Sequence, residues 1–224
     1  MILNLLTGST GSEENSILSY VFIIILCILA CMLAFTFHEF GQTLCARLLG
    51  DKSANITANP VRQLKRPMNW LAALIFTFFG GCWKKQTVNN LESRWKRIIL
   101  SLSGILSGII FAAISSIAIK LLLMLQSSEL FDILVNPFVQ LFVYLFAACV
   151  ILTLFSLFPL PPCDMGYLIA ACLPENAGNT IIKTEQFMPV VIVIISVIMS
   201  RSGFITNILS SASDYANMLF GMFI

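Results

Sequence analysis

The chain contains a single histidine, His38, which lies near the end of a long apolar segment and is followed by Glu39 and Gln42. In an α-helix, residues four apart lie on the same face, so a histidine and a second ligand at this spacing can hold one zinc ion. A glutamate directly after the first ligand is then placed to activate water as a general base. Here the second ligand position holds Gln42, and an amide is a weaker zinc ligand than an imidazole.

A zinc ion held by two side chains of one helix needs a third protein ligand from elsewhere in the chain. The candidate is Asp164, which follows the proline-rich stretch at residues 159–163. Prolines interrupt helical hydrogen bonding, and interrupted backbone survives at membrane depth only where protein or water shields it from lipid. The pattern therefore predicts a metal site of His38, Gln42 and Asp164, with Glu39 as the catalytic base.

The cysteines offer few further ligands. Cys163 could supply a thiolate beside Asp164, although adjacent residues of an extended segment tend to point apart. Cys45 shares a helical face with His38 but lies about 10 Å further along the axis, which is too far for a shared ion. The seven cysteines are scattered, mostly through apolar segments, without a Cys-x-x-Cys pair. This distribution favours free thiols that pack as small apolar side chains.

The composition is that of an integral membrane protein. Hydrophobic residues make up 58% of the 224 positions and charged residues only 11%, with a mean hydropathy of +0.92. A soluble domain has roughly 25% charged residues, so an ordinary soluble fold is excluded. We expect one all-α transmembrane domain over residues 1–224. The start of the chain lacks the basic residues of a signal peptide, so the first apolar segment is expected to be a retained span.

The positive charges are concentrated in one part of the sequence. Ten of the thirteen basic residues lie between positions 47 and 97. By the positive-inside rule, this region faces the cytoplasm, while the N-terminus and the loop at 127–136 lie outside. The basic residues are expected to set topology and to contact lipid headgroups, and nucleic acid is not an expected partner.

The apolar segments predict both full spans and shorter inserted pieces. Full spans are expected at residues 17–50, 95–126 and 137–158, a re-entrant segment at 69–83, and a short helix at 165–173. Residues 187–224 are expected to form one span and a second half or full span, with a break at 201–203. The sum is a bundle of about six transmembrane or partly inserted helices with a re-entrant loop.

Several segments resemble the site-2 protease family of intramembrane zinc metalloproteases, specifically its small members without PDZ or CBS domains. Residues 37–42, Phe-His-Glu-Phe-Gly-Gln, resemble the family's His-Glu-x-x-His segment, and residues 47–51 continue the similarity. Residues 79–83 and 88–89 resemble the membrane-associated loop that follows. Residues 156–164, Ser-Leu-Phe-Pro-Leu-Pro-Pro-Cys-Asp, are similar to the Asn-x-x-Pro-x-x-x-Leu-Asp-Gly motif. The resemblance implies a protein that cleaves transmembrane segments of other membrane proteins near the cytosolic face.

The departures from the family pattern lie at the chemistry. Gln42 replaces the second histidine, Ser156 the asparagine, Cys163 the leucine and Met165 the first glycine. Residues 104–108 resemble a family Gly-Pro-x-x-Asn pattern but lack its proline and asparagine. Loss of an outer-shell partner alone typically costs about 10–100-fold in metal affinity or activity, and loss of a direct ligand should cost more. Gln42 could still coordinate through its oxygen, giving a weak site.

Each candidate also has a structural interpretation. His38 and Glu39 could be a polar pair that packs by hydrogen bonding without metal, and Asp164 could cap the short helix after it. Gln42 could bond to a neighbouring span, and Cys163 could be an apolar packing residue. The glycines at 104 and 108 predict a close contact between helices.

These residues are compatible with three functions. The first is an intramembrane metalloprotease with an altered zinc site. The second is a catalytically inactive pseudoprotease of the same fold that binds membrane-protein partners, with a client helix in place of a substrate. The third is a transporter-like protein that uses the polar cavity for ions, and it depends only on the broken third span.

Overall fold

The computed structural model describes residues 17–51, 93–124, 129–203 and parts of 206–218. These residues form six α-helices and one 3₁₀ turn, with further helical residues between 206 and 218, and no strand is found among them. The helices are α1 (Ile17–Leu48), α2 (Arg94–Met124), α3 (Glu129–Ser156), α4 (Asp164–Cys172), α5 (Glu175–Lys183) and α6 (Met188–Arg201), with the 3₁₀ turn Thr184–Phe187 between α5 and α6.

Three helices are long and apolar enough to cross a membrane, over Tyr20–Leu48, Arg94–Met124 and Asn136–Ser156. They match the three predicted full spans closely, so the described part of the chain is all-α and has the spans of a membrane protein. Helix α6 is about 21 Å long, shorter than a hydrocarbon core of about 30 Å. It ends at the predicted break, where Gly203 takes a φ of 74°. The predicted re-entrant segment at 69–83 and the polar segment before it lie outside the described residues.

The start of α3 differs from the prediction. A loop was expected to extend to residue 136, whereas α3 begins at Glu129 and contains Pro137 within it. Proline is tolerated inside membrane helices because neighbouring helices, side chains and local backbone adjustments satisfy the backbone groups that it leaves without a partner. The proline therefore marks no helix end here, and the connection between α2 and α3 is shorter than expected.

Helices α1, α2 and α3 all contact one another and share one apolar core. Small side chains dominate its centre, including the fully buried Ala30, Ala147 and Ala148. The buried thiols of Cys27, Cys31 and Cys149 belong to the same core, and the six cysteines of the described segments are free. Their placement agrees with the predicted role as packing residues.

Glycines allow α2 to approach both neighbouring spans closely. A Cβ at Gly41 of α1 would collide with Ser107, and a Cβ at Gly108 of α2 would collide with the hydroxyl of Thr153 on α3. Such small residues let helix backbones pack closely in a membrane, where water provides no driving force between helices. The predicted close helix contact at this part of α2 is therefore present.

The chain leaves α3 through a short irregular segment and returns along α2. Arg94, at the start of α2, donates a hydrogen bond to the carbonyl of Cys172 at the end of α4. Asp164, at the start of α4, lies against Gly104 of α2. Helix α4 therefore runs antiparallel to the first part of α2, and its first residue is carried into the bundle.

The collision at Gly108 predicts a coupled pair of substitutions. Gly108→Ala should lower the free energy of unfolding by about 1–3 kcal/mol, because the added methyl overlaps the Thr153 hydroxyl. In a Thr153→Ala background the same change should cost much less, since the nearest remaining atom is the residue 153 Cβ at 3.5 Å. Thermal unfolding of the four proteins in detergent gives the coupling, and equal costs in both backgrounds would contradict the described contact.

Candidate functional site

The two separated sequence motifs meet in the interior of the bundle. His38 Nε2 lies 2.9 Å from Asp164 Oδ2, although the residues are 126 positions apart. The Gln42 amide nitrogen donates a hydrogen bond of 2.6 Å to Asp164 Oδ1. Both carboxylate oxygens of Asp164 are therefore engaged by residues of α1. The structure brings together His38, Gln42 and Asp164, the three residues proposed from the sequence as ligands.

The helical repeat of α1 explains half of this arrangement. His38 and Gln42 are four residues apart and so lie on one face, which is turned towards α2 and α4. Glu39 follows His38 and is almost fully buried, with 1% of its surface exposed. Thr43 donates from its hydroxyl to the Glu39 carbonyl at 2.9 Å, which adds a second bond to that backbone group. This stretch of α1 buries polar side chains on adjacent faces.

Asp164 is placed by the start of α4 and does not cap it. The N-cap position belongs to Cys163, which makes no side-chain capping bond, and Asp164 is the first helical residue. The prediction that Asp164 caps the short helix is therefore wrong in its register. Its carboxylate turns instead towards α1, because the bonds to His38 and Gln42 satisfy both of its oxygens. An acid in the first turn also interacts favourably with the helix dipole.

Gly104 of α2 provides the space in which these groups meet. A Cβ at this position would overlap Asp164 Oδ2 and the Gln42 amide nitrogen. The site therefore lies between α1, α2 and α4, and the backbone of Gly104 forms the side that faces Asp164 and Gln42. The structural interpretation of Gln42 predicts a hydrogen bond to a neighbouring span. Its partner is instead Asp164 on α4, a helix of nine residues that is too short to span a membrane.

Two serines complete the site and were not proposed from the sequence as site residues. Ser156, at the end of α3, lies 3.3 Å from His38 Nε2 through its hydroxyl. Ser107 of α2 donates to the Gly104 carbonyl at 2.8 Å, and its hydroxyl lies 3.4 Å from the His38 carbonyl. The position of Ser156 within the second motif was the available signal. Nothing in the spacing of Ser107 marks it, because its contact depends on how α1 and α2 cross.

The thiol of Cys163 is buried next to Asp164. It lies outside the three candidate spans and is buried, with 8% of its surface exposed. Burial, together with the neighbouring charge of Asp164, raises its pKa to about 12. Cys163 is therefore a protonated thiol at neutral pH, which agrees with its interpretation as a packing residue. Cys45 contacts the Ile99 carbonyl on the adjacent part of α2.

Of the three proposed ligands, His38 and Asp164 are placed as a zinc ion would require, and Gln42 is not. Ligands held at about 2.0–2.1 Å in a tetrahedral zinc site are about 3.3 Å apart, close to the 2.9 Å between His38 Nε2 and Asp164 Oδ2. A metal would replace the proton that this hydrogen bond requires. Gln42 would fit only with its amide rotated so that the oxygen, and not the nitrogen, faces Asp164. In the hydrogen-bonded arrangement described above, the nitrogen faces Asp164. No group of three His, Cys, Asp or Glu side chains suited to a metal occurs in the described segments.

Comparison of this chain with models of known protein families, with curated proteins and with solved structures finds no match.

The hydrogen bonds of Asp164 predict an uneven response to two substitutions. Asp164→Ala should destabilise the protein by about 2–3 kcal/mol, because it leaves the buried Gln42 amide and His38 imidazole without their acceptor. Ser156→Ala removes only a 3.3 Å contact and should cost about 1 kcal/mol or less. Thermal unfolding in detergent measures both changes. A larger effect for Ser156→Ala would show that Asp164 does not hold the site together.

Proposed function

We propose that this protein is an intramembrane zinc metalloprotease of the site-2 type with an altered zinc site, acting on transmembrane segments of other membrane proteins. One observation supports the proposal above all others: His38 and Asp164, from motifs 126 residues apart, lie in contact inside an apolar bundle. Buried ionisable groups are rare within membrane proteins and are usually retained for function.

Each side chain has a distinct role in this proposal. His38 and Asp164 would hold zinc, and Gln42 would complete the site through its amide oxygen. When bound, zinc polarises the scissile carbonyl and lowers the pKa of water. Glu39 accepts the proton of the attacking water and returns it to the leaving amine. Ser156 contacts His38 at Nε2, the nitrogen that zinc would occupy, so this contact belongs to the metal-free protein.

The depth of the site suits a substrate that lies in the membrane. His38 is about 15 Å along α1 from Leu48, where the helix ends beside the basic residue Arg47. Lys96 of α2 donates to the Leu49 carbonyl at 2.7 Å, so basic residues from both helices collect at this end. The site is therefore below one basic surface of the bundle, and the proposal assigns that surface to the cytosolic side.

One observation favours a second function, a pseudoprotease that binds membrane helices without cleaving them. The Gln42 amide donates to Asp164 at 2.6 Å, and His38 engages the other carboxylate oxygen. The network is therefore satisfied by hydrogen bonds alone. A protein of this kind would use the same bundle to hold a client helix.

Metal content separates the two functions. If the first is right, purified full-length protein should carry about one zinc per chain, and His38→Ala and Asp164→Ala should lose it. Glu39→Gln should retain zinc, because the base is not a ligand, but lose cleavage of a single-span reporter in the same vesicles. Ser156→Ala is the control and should keep most of the metal. Inductively coupled plasma mass spectrometry gives the zinc content.

The substitution Gln42→His sharpens the comparison. It replaces the amide by imidazole and should raise zinc affinity by about 10-fold or more if His38 and Asp164 already form two-thirds of the site. If the purified protein contains no zinc, and the Gln42→His variant gains none, the metalloprotease proposal is rejected. Retained binding of helical partners by that protein would favour the pseudoprotease.

We also propose that the chain is multi-pass with the basic region at 47–97 in the cytoplasm and the N-terminus outside. A reporter that is active only in the cytoplasm should be active when inserted between residues 52 and 92, and inactive when fused at the N-terminus. The matched control is insertion between residues 125 and 128, on the far side of α2, which should be inactive. The reverse pattern would invert the proposed topology.

A further inference from the structure

A cavity lies at the basic end of the bundle, apart from the metal-type site. It has a volume of 210 Å³ and is lined by residues of α2, α4 and α5, including Arg94, Arg97, Leu173, Glu175 and Asn179. A water molecule needs only about 10–15 Å³ of such volume, so the cavity is large enough for a tetrahedral oxyanion. Its walls join the first turn of α2 to the connection between α4 and α5.

The two arginines give the cavity its positive charge. Arg94 donates one bond to the Cys172 carbonyl, which leaves most of its five N–H donors for other partners. Glu175 also lines the cavity, so two guanidinium groups and one carboxylate leave one net positive charge. Within the described part of the chain, neither arginine forms an ion pair with Glu175. Among the described residues, the two guanidinium groups are therefore not paired with the carboxylate that lines the same cavity.

The position of the cavity matches the headgroup layer of a membrane. Helix α2 is about 46 Å long, more than the hydrocarbon thickness of about 30 Å, so its ends extend into the headgroup region. Trp95 lies between the two arginines in sequence and is 72% exposed, as is typical of tryptophan at a membrane interface. Basic pockets beside membrane helices at this level bind lipid phosphates.

We infer that this cavity binds a phosphate group, with Arg97 and Arg94 as the charged hydrogen-bond donors. Arginine suits this ligand because its planar group presents paired N–H donors to phosphate oxygens. The same chemistry is offered by the headgroup of an anionic phospholipid and by a soluble phosphate, and binding at this place is independent of the metal-type site. A bound phosphate connects α2 to the α4–α5 connection.

Lys96 provides a matched control. It carries the same charge as Arg97 and lies next to it in sequence, but its ammonium donates to the Leu49 carbonyl and it does not line the cavity. Lys96→Gln should weaken binding of an anionic lipid by about fivefold, through loss of surface charge alone. Arg97→Gln should weaken it by about tenfold more than that, because direct charged hydrogen bonds are also lost. Arg97→Lys keeps the charge but loses the paired donors, and should lie between wild type and Arg97→Gln.

The experiment titrates the full-length protein in detergent with phosphatidylglycerol and with phosphatidylcholine, using native mass spectrometry. Preferential binding of phosphatidylglycerol that responds to Arg97→Gln more than to Lys96→Gln supports the inference. Equal binding of the two lipids, or equal effects of the two substitutions, overturns it. If Arg97→Gln unfolds, Arg97→Lys decides, and wild-type affinity in that variant overturns the inference as well.

Inorganic phosphate then identifies the source of the ligand. Displacement of phosphatidylglycerol by millimolar phosphate from the wild type, but not from Arg97→Lys, supports a site open to soluble phosphates. Retention of the lipid in the presence of phosphate supports a site for lipid headgroups. Both results keep the phosphate chemistry, and zinc content is not a readout of either arm.

Discussion

The contact between His38 and Asp164 is the constraint around which the bundle is built. An unpaired charge within an apolar interior costs several kcal/mol, so each of these groups needs the other or a metal. The carboxylate arrives on a short helix that is not itself a span, which requires α3 to end at Ser156 and the chain to turn back towards α1. The bare backbone of Gly104 accepts the contact, because any side chain there would occupy the space of the carboxylate.

Gln42 changes what this contact can do. An imidazole at that position would be a stronger zinc ligand than the amide. The amide instead supplies a donor to Asp164, so the same three residues can form a closed hydrogen-bonded network. The described contacts therefore need no ion, and the zinc-bound form proposed above requires the Gln42 amide to turn so that its oxygen takes the place of its nitrogen.

The spans and the meeting of His38 with Asp164 were predictable, whereas the detailed contacts were not. Long apolar segments specify membrane helices because length and composition alone decide insertion, and the three described spans agree closely with expectation. The predicted start of α3 was wrong because proline usually ends or begins a helix, whereas a membrane helix can contain one when its surroundings satisfy the freed backbone groups. The capping role of Asp164 and the partner of Gln42 were misjudged because both depend on the approach of α4 to α1. Ser107 was not predicted as a site residue for the same reason, since the place where α1 and α2 cross cannot be recognised from the spacing of residues in the sequence.

Helix α4 connects two environments that are otherwise separate. Its last residue accepts a bond from Arg94 near the headgroup layer, and its first residue carries the buried carboxylate. Nine helical residues span about 13 Å and behave as a rigid rod, because each backbone bond resists local stretching. One short helix therefore fixes the distance between the Arg94 contact at one end of the bundle and the buried carboxylate in its interior.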